Sequence, residues 1–178
     1  LKDRTMVLAD TSLNIEPTSD QLAEIAIAAA DSARAFGLDP RVAMLSFSNF
    51  GSVPHPSGRR SQAAVSLVRE RRPDLVIEGE MHADVAVDRA VGARHYPHSL
   101  IDGDANVLVF PELGSGNISY KLLEHLAGAE AIGPILVGLK QPIVVGYQAA
   151  TPQTLVRLAS IAVAGTLEGN QGQLFPAP

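Results

Sequence analysis

The chain has 178 residues, of which 46% are apolar, and a net charge of −5, so it is long enough for one domain with its own hydrophobic core and too short for two large ones. No apolar run approaches the roughly 20 residues of a membrane-spanning helix, and no stripe of Lys or Arg offers a nucleic-acid footprint, so we expect neither a membrane nor a nucleic acid as partner. The absence of cysteine excludes disulfides and a thiolate nucleophile and fits the reducing cytoplasm, where we expect the protein to reside.

Short apolar runs alternate with segments of helical periodicity along the whole chain. In chain order the predicted elements are a strand over 5–10, a helix over 18–36, a strand over 41–47, a helix over 59–71, strands over 75–78 and 106–111, a helix over 116–127, strands over 132–139 and 143–145, and a helix over 151–165. This alternation predicts an α/β domain in which helices cover one central sheet. The polar residues 48–58 are predicted to form a loop, and the tail after Thr166 is predicted to fray.

Local signals set the helix ends. Thr18 and Gln21 have capping-box spacing, and Thr151 precedes a proline in the first turn of the last helix, as expected at helix N-termini. Gly37 and Gly128 stand where C-cap glycines belong. In the third helix the apolar residues predicted to face the core are Ile118, Leu122, Leu123 and Leu126.

The first candidate ligand site is the loop after the second strand. It combines hydroxyls, an amide and a glycine in Ser46, Ser48, Asn49, Gly51 and Ser52. Because α/β folds bind ligands at the carboxyl ends of their strands, this loop could hold a phosphate or a carbonyl. The alternative is a turn whose Ser and Asn side chains satisfy local backbone groups.

A second candidate lies where the strand over 106–111 passes into a helix. Free amides at Ser115, Gly116 and Asn117, with Lys121 one turn further along, could receive an anion. Two glycines at such a turn match neither the dinucleotide fingerprint nor a Walker motif. A purely structural turn is therefore the equal alternative.

Other polar residues carry weaker signals. An acidic group with one histidine matches no metal motif, and we expect it to form a solvated loop and helix N-terminus rather than a metal site. Its members are Glu78, Glu80, His82, Asp84 and Asp88. His95 and His98 have no serine-hydrolase elbow beside them, so packing, a loop or an interface explains them better. Tyr147, Gln148 and Thr154 surround the start of the last helix, but none is an acid, a base or a cation at neutral pH.

Two segments carry a resemblance to a known family. Residues 105–113, Ala-Asn-Val-Leu-Val-Phe-Pro-Glu-Leu, and residues 115–121, Ser-Gly-Asn-Ile-Ser-Tyr-Lys, form a distinctive signature. With it, the chain resembles the phosphate acetyl/butyryl transferase family over nearly its whole length. Residues 49–52, 79–84 and 96–99 are similar to the version of this domain that is fused to bacterial NADP-dependent malic enzymes.

The resemblance implies a three-layer αβα fold with a largely parallel central sheet, similar to the isocitrate and isopropylmalate dehydrogenases. It implies a two-lobed domain with coenzyme A in the cleft. Residues 1–145 would supply the second lobe, 151–165 its returning helix, and 167–178 a flexible tail beyond a domain that ends at 166. The N-terminus lacks Met and an apolar signal region, so we expect a piece of a longer chain whose first lobe lies upstream.

Active phosphotransacetylases resemble this chain but carry a Ser-Arg pair where Tyr147 and Gln148 align, and an Asp where Thr154 aligns. Such an arginine would bind the acyl phosphate, and such a carboxylate would help to deprotonate the thiol of coenzyme A. The resemblance therefore implies a non-catalytic domain of a malic enzyme that needs NADP and Mg or Mn elsewhere in the chain. We expect it to bind acetyl-CoA for regulation and to support homo-oligomers. The alternatives are an active phosphate acetyltransferase and a dimerisation domain without a ligand.

Overall fold

The computed structural model describes residues 4–139, 143–146 and 150–169. Strands and helices largely alternate as predicted, but two short helices that the sequence analysis did not predict follow one another over residues 83–95. The strands are β1 (Val7–Ala9), β2 (Arg41–Leu45), β3 (Val76–Met81), β4 (Val107–Val109), β5 (Ile135–Leu136) and β6 (Ile143–Val144). The helices are α1 (Ser19–Ala35), α2 (Pro56–Arg71), α3 (Ala83–Val87), α4 (Arg89–His95), α5 (Leu113–Ala127) and α6 (Pro152–Gly169). None of the helices in these ranges is both long and apolar enough to cross a membrane.

The central sheet has four strands in the order β1-β4-β2-β3, and every neighbouring pair is parallel. Val42 and Met44 of β2 face a core formed with α1 and α2. Ala43 and Leu45 face a second core that contains α3. Because successive strand residues point to opposite faces, β2 is covered on both sides, as predicted. The α/β class and the largely parallel sheet are confirmed.

The prediction of one sheet is wrong. Strands β5 and β6 form a separate antiparallel pair, with Ile135 opposite Val144. Both runs are apolar and read as ordinary core strands in the sequence. Which strands pair is set by long-range packing, which the local pattern does not contain.

Several predicted helix ends are confirmed, and others move. Thr18 and Gln21 form the capping box, and Gly128 closes α5 in the left-handed conformation, with φ of 65°. Helices α2 and α5 begin three residues earlier than predicted, at Pro56 and Leu113. The reason is that His55 and Glu112 act as the N-caps. Helix α6 reaches Gly169, beyond the predicted helix end near 165. The predicted domain end at 166 and the tail over 167–178 stay predictions, and 170–178 lie outside the described residues.

The predicted inward face of α5 is largely exposed, which corrects the sequence-based assignment. Ile118 is 60% exposed, Leu122 51% and Leu126 81%. The only α5 residue that is fully buried is Gly116, in the first turn. Helical periodicity correctly places the three side chains on one stripe, but nothing in the described part of the chain covers that stripe.

Candidate functional site

The four parallel strands bring the segments that follow them to one edge of the sheet. The loop after β1 meets the start of α5, where the Leu113 amide donates to the Ile15 carbonyl at 3.1 Å. The loop after β2 meets the end of β3, where the Ser46 amide donates to the Met81 carbonyl at 2.9 Å. Both predicted candidate sites therefore lie at the carboxyl edge, where α/β sheets commonly bind ligands.

The loop after β2 is closed by its own side chains. The Ser48 hydroxyl accepts from the Val53 amide at 3.1 Å, and the Ser52 hydroxyl accepts from the Asn49 amide at 3.0 Å. The Ser46 hydroxyl accepts from the Ser48 amide at 3.2 Å. These hydrogen bonds form the turn that was the structural alternative in the sequence analysis, in which Ser and Asn side chains satisfy local backbone groups. Ligand binding by this loop stays a prediction.

Glu80 lies at the centre of this turn. Its Oε1 accepts from the Ser48 hydroxyl at 2.7 Å and from the Gly51 amide at 2.8 Å, and its side chain is fully buried. Its Oε2 has no hydrogen-bond partner among the described residues. The expectation of a solvated carboxylate is wrong for Glu80, because β3 extends through it to Met81. The available signal was the apolar run over 75–77 before these residues and Met81 after them, which is compatible with a longer buried strand.

The remaining acidic residues have separate roles. Glu78 is also buried, and it accepts from the Leu100 amide at 3.0 Å and from the Ser99 hydroxyl. Asp88 is the N-cap of α4, which agrees with the expectation of a helix N-terminus among these acidic residues. No group of three or more His, Asp or Glu side chains in the described ranges is arranged to hold a metal ion.

His82 ties β3 to the loop after β2. Its amide donates to Asn49 Oδ1 at 2.7 Å, and its ring Nε2 lies 2.8 Å from the Phe47 carbonyl. Because a carbonyl oxygen only accepts, Nε2 must carry the proton in this contact. The loop is thus held from beneath by Glu80 and from the side by His82. The other two histidines singled out in the sequence, His95 and His98, lie in exposed positions at and after the end of α4.

At the start of α5, Glu112 already occupies the free amides. Its carboxyl oxygens accept from the amides of Gly114 and Ser115, both at 2.6 Å. Burial raises the pKa of Glu112, but these hydrogen bonds and the nearby Arg60 outweigh it and hold the pKa below its usual range. The sequence missed this role because Glu is not a common N-cap residue. These contacts agree with the alternative of a purely structural turn. Binding of an anion at this helix start stays a prediction.

Of the other residues of this candidate site, Gly116 and Asn117 contact the loop after β1, and Lys121 lies on the surface. A Cβ on Gly116 would stand 2.2 Å from the Asp10 carbonyl oxygen, so this glycine allows α5 to approach the loop after β1. Asn117 donates to the Thr11 carbonyl at 3.1 Å. The exposed Lys121 places its Nζ 4.9 Å from the Tyr120 ring centroid.

Asp10, which sequence reasoning also missed, organises the loop after β1. Its carboxylate accepts from the amides of Ser12 at 2.7 Å, Leu13 at 3.1 Å and Asn14 at 2.7 Å. Burial raises the pKa of Asp10, but these bonds outweigh it and leave the pKa below its usual range. A polar residue directly after a strand was the available signal.

Thr154 lies in the first turn of α6 and is part-buried. Its amide donates to Thr151 Oγ1 at 3.1 Å, and the two hydroxyl oxygens are 2.9 Å apart. Thr151 therefore caps α6 as predicted. Tyr147 and Gln148 lie outside the described residues.

An open cavity of about 500 Å³ lies between the starts of α1 and α2. Arg60 borders it, donates from a terminal nitrogen to the Pro111 carbonyl at 2.9 Å, and keeps a buried Nε without a partner among the described residues. The cavity is lined by Glu16, Pro17, Thr18, Ser19, Pro56, Arg59 and Arg60.

The sequence pattern of the phosphate acetyl/butaryl transferase family matches residues 1–163, and the chain belongs to this family. The resemblance inferred from residues 105–121 is confirmed.

The relatives of this chain include phosphate acetyltransferases and NADP-dependent malic enzymes. The phosphate acetyltransferase of Paracoccus denitrificans is 51% identical over 138 residues, which are 77% of this chain and 43% of that protein. The NADP-dependent malic enzyme of Escherichia coli K12 is 43% identical over 158 residues, 88% of this chain and 21% of that protein. That of Rhizobium meliloti is 45% identical over 170 residues, 93% of this chain and 22% of that protein. The chain thus spans less than half the length of these relatives.

Solved structures agree. The EutD phosphotransacetylase from Staphylococcus aureus superimposes with a TM-score of 0.87 at 38% identity, covering 91% of this chain and 50% of that one. A phosphotransacetylase from Streptococcus pyogenes gives a TM-score of 0.90 at 39% identity, covering 94% of this chain and 51% of that one. The described fold is therefore that of about half a phosphotransacetylase chain.

Proposed function

We propose that this chain is the C-terminal phosphotransacetylase-like region of an NADP-dependent malic enzyme, which converts malate to pyruvate and CO2. In this proposal the domain binds acetyl-CoA at the carboxyl edge as a regulatory ligand and does not turn it over. Malic enzymes match 88% to 93% of the chain. NADP and the Mg²⁺ or Mn²⁺ ion belong to upstream domains.

The observation that carries the non-catalytic part is the use of the carboxyl groups at the edge. Asp10 organises a turn, Glu80 is buried beneath a loop, and Glu112 caps α5. A general base for the thiol of coenzyme A must be able to reach the proton it removes, and each of these groups is committed to the fold. Thr154, where the resemblance places a catalytic Asp, cannot act as a base at neutral pH.

Oligomerisation is the second part of the proposal. The stripe of Ile118, Leu122 and Leu126 on α5 is exposed in this chain. Exposed apolar stripes of this kind are typical of surfaces that another protein segment covers. A contact with a second subunit is consistent with this stripe.

Titration of acetyl-CoA into the full-length protein tests the proposal, with binding heat and NADP-dependent malate decarboxylation followed together. Binding that changes malate turnover without consuming acetyl-CoA supports regulation. Absence of any binding heat would refute it and favour the ligand-free dimerisation domain. The binding assay needs the complete protein, because the other lobe is expected to complete the cleft.

An active phosphate acetyltransferase is the second candidate. The 51% identity to a phosphate acetyltransferase and the TM-score of 0.90 to a solved phosphotransacetylase favour it. It predicts that the full-length protein converts acetyl-CoA and phosphate to acetyl phosphate and coenzyme A. It also predicts that Gln148→Arg adds little. If instead Gln148→Arg together with Thr154→Asp creates activity that the native protein lacks, the non-catalytic reading is supported.

A further inference from the structure

We infer that the loop over residues 46–53 binds an uncharged, apolar part of a ligand and does not cradle a phosphate. This inference rests on the proposed function, since it assigns one portion of the acetyl-CoA site. It goes beyond the proposal because it names which chemical part of the ligand the loop takes.

The backbone amides from residue 48 to residue 53 of the loop are already used. A phosphate-binding loop works by pointing several free N–H groups at the anion. Here every amide from residue 48 to residue 53 donates within the protein, over distances of 2.7 to 3.2 Å. In chain order the acceptors are Ser46 Oγ, Ser52 Oγ, Glu80 O, Glu80 Oε1, Asn49 O and Ser48 Oγ.

Glu80 adds a second reason. Its Oε1 takes the Gly51 amide, which lies at the tip of the turn, and the side chain fills the space directly beneath. This carboxyl oxygen therefore takes the place of an anion that would receive the Gly51 amide. The same side chain also supports the left-handed backbone of the turn, where Phe50 has φ of 49° and Gly51 has φ of 83°.

The outer surface of the loop is apolar. Phe47 is 56% exposed, Phe50 41% and Val53 43%. The Phe47 ring contacts His55 at a centroid distance of 5.4 Å, and the Phe50 ring contacts Tyr96 at 5.0 Å. Both rings are thereby held by one neighbour each and keep part of their surface open. Such a surface gains free energy by covering an apolar or aromatic group, and gains none from an anion.

Acetyl-CoA carries both kinds of group, since it joins phosphates to an uncharged acyl-thioester arm and an aromatic base. The loop therefore complements the uncharged portions of acetyl-CoA, and other groups of the protein must bind its phosphates. A protein segment that covers Phe47 and Phe50 is the competing occupant of the same surface.

The test compares Phe47→Ala with Phe36→Ala in the full-length protein. Phe36 is a matched control, because it is 44% exposed at the end of α1, at the opposite edge of the sheet. We expect Phe47→Ala to weaken acetyl-CoA binding by about tenfold, as expected for the loss of one ring's apolar contact. Phe36→Ala should leave the dissociation constant within about twofold of the native value. Phe47→Leu should retain most of the affinity, because it remains apolar.

Competition by inorganic phosphate distinguishes the two parts of the ligand. If the phosphates of acetyl-CoA are bound by groups outside the loop, inorganic phosphate should compete for those groups. The dissociation constant of phosphate obtained from this competition should therefore be the same in Phe47→Ala and in the native protein. The inference is overturned if Phe47→Ala binds acetyl-CoA as tightly as Phe36→Ala does, or if phosphate affinity falls in parallel. Loss of thermal stability with unchanged acetyl-CoA binding would identify the loop as a protein contact instead. If the native protein itself binds no acetyl-CoA, the proposed function fails together with the inference.

Discussion

Replacing Gly116 with alanine should force helix α5 away from the loop that follows β1. The added Cβ would lie 2.2 Å from the Asp10 carbonyl oxygen and 3.2 Å from Phe110 Cδ2. The first contact is with backbone, which no rotamer change can relieve. That backbone belongs to the turn organised by the Asp10 carboxylate, so the turn and α5 must separate.

The expected cost follows from two opposing terms. Overpacking of a tight contact costs about 1–3 kcal/mol, and a rigid backbone partner places this site at the upper end. Alanine gains about 1 kcal/mol over glycine in a helix, which offsets part of the cost. We expect a net destabilisation of about 2 kcal/mol, which corresponds to a fall in melting temperature of about 4–8 °C for a domain of this size.

Gly114→Ala is the matched control in the same helix turn. Its Cβ would lie 2.8 Å from Glu112 Oε2, the end of a flexible side chain, so the change should stay within about 1 kcal/mol of the native protein. Thermal unfolding of the full-length protein measures both variants. If Gly116→Ala melts within about 1 °C of Gly114→Ala, the close approach of α5 to Asp10 is wrong.

Three further predictions concern caps and the exposed stripe. Glu112→Gln should cost about 1 kcal/mol at neutral pH. Since the folded pKa of Glu112 is lowered, its contribution is fully present above its ordinary pKa of 4.5 and is lost as pH falls through the lower folded value, so the difference in melting temperature should vanish in acid. Thr18→Ala should remove the capping box of α1 and cost about 1 kcal/mol, whereas Ser19→Ala should change the melting temperature little; equal effects would contradict the observed cap. Leu126→Glu should weaken self-association in sedimentation velocity while lowering thermal stability by no more than about 0.5 kcal/mol. The control His125→Glu should change neither self-association nor stability. Unchanged self-association of Leu126→Glu would exclude α5 as a subunit contact.

The features predicted correctly from sequence depend on neighbours along the chain. The capping box of Thr18 and Gln21 and the left-handed Gly128 need only local backbone geometry. The alternation of strands and helices was enough to predict an α/β domain with helices over its sheet. Placement of the candidate loops at the carboxyl edge follows from parallel strands alone.

The surroundings of individual side chains within this α/β fold could be determined only from the tertiary structure. Glu80 reads as a solvated carboxylate in the sequence, yet the neighbouring β2 and its loop bury it completely. The free amides expected near Ser115 are occupied by Glu112. Each of these outcomes depends on which group arrives from a distant part of the chain to satisfy a backbone donor, and the local sequence does not contain that information.

The sequence by itself therefore determined the family, the α/β class and the order of most elements, because these depend on periodicity, capping and a distinctive motif. Only the tertiary structure decided that β5 and β6 form their own sheet, that the stripe containing Leu126 is exposed, and that the amides of residues 48–53 are all used within the protein. The physical reason is that hydrogen-bond donors and apolar faces are committed by long-range packing, whereas the sequence pattern specifies only which of them share a face.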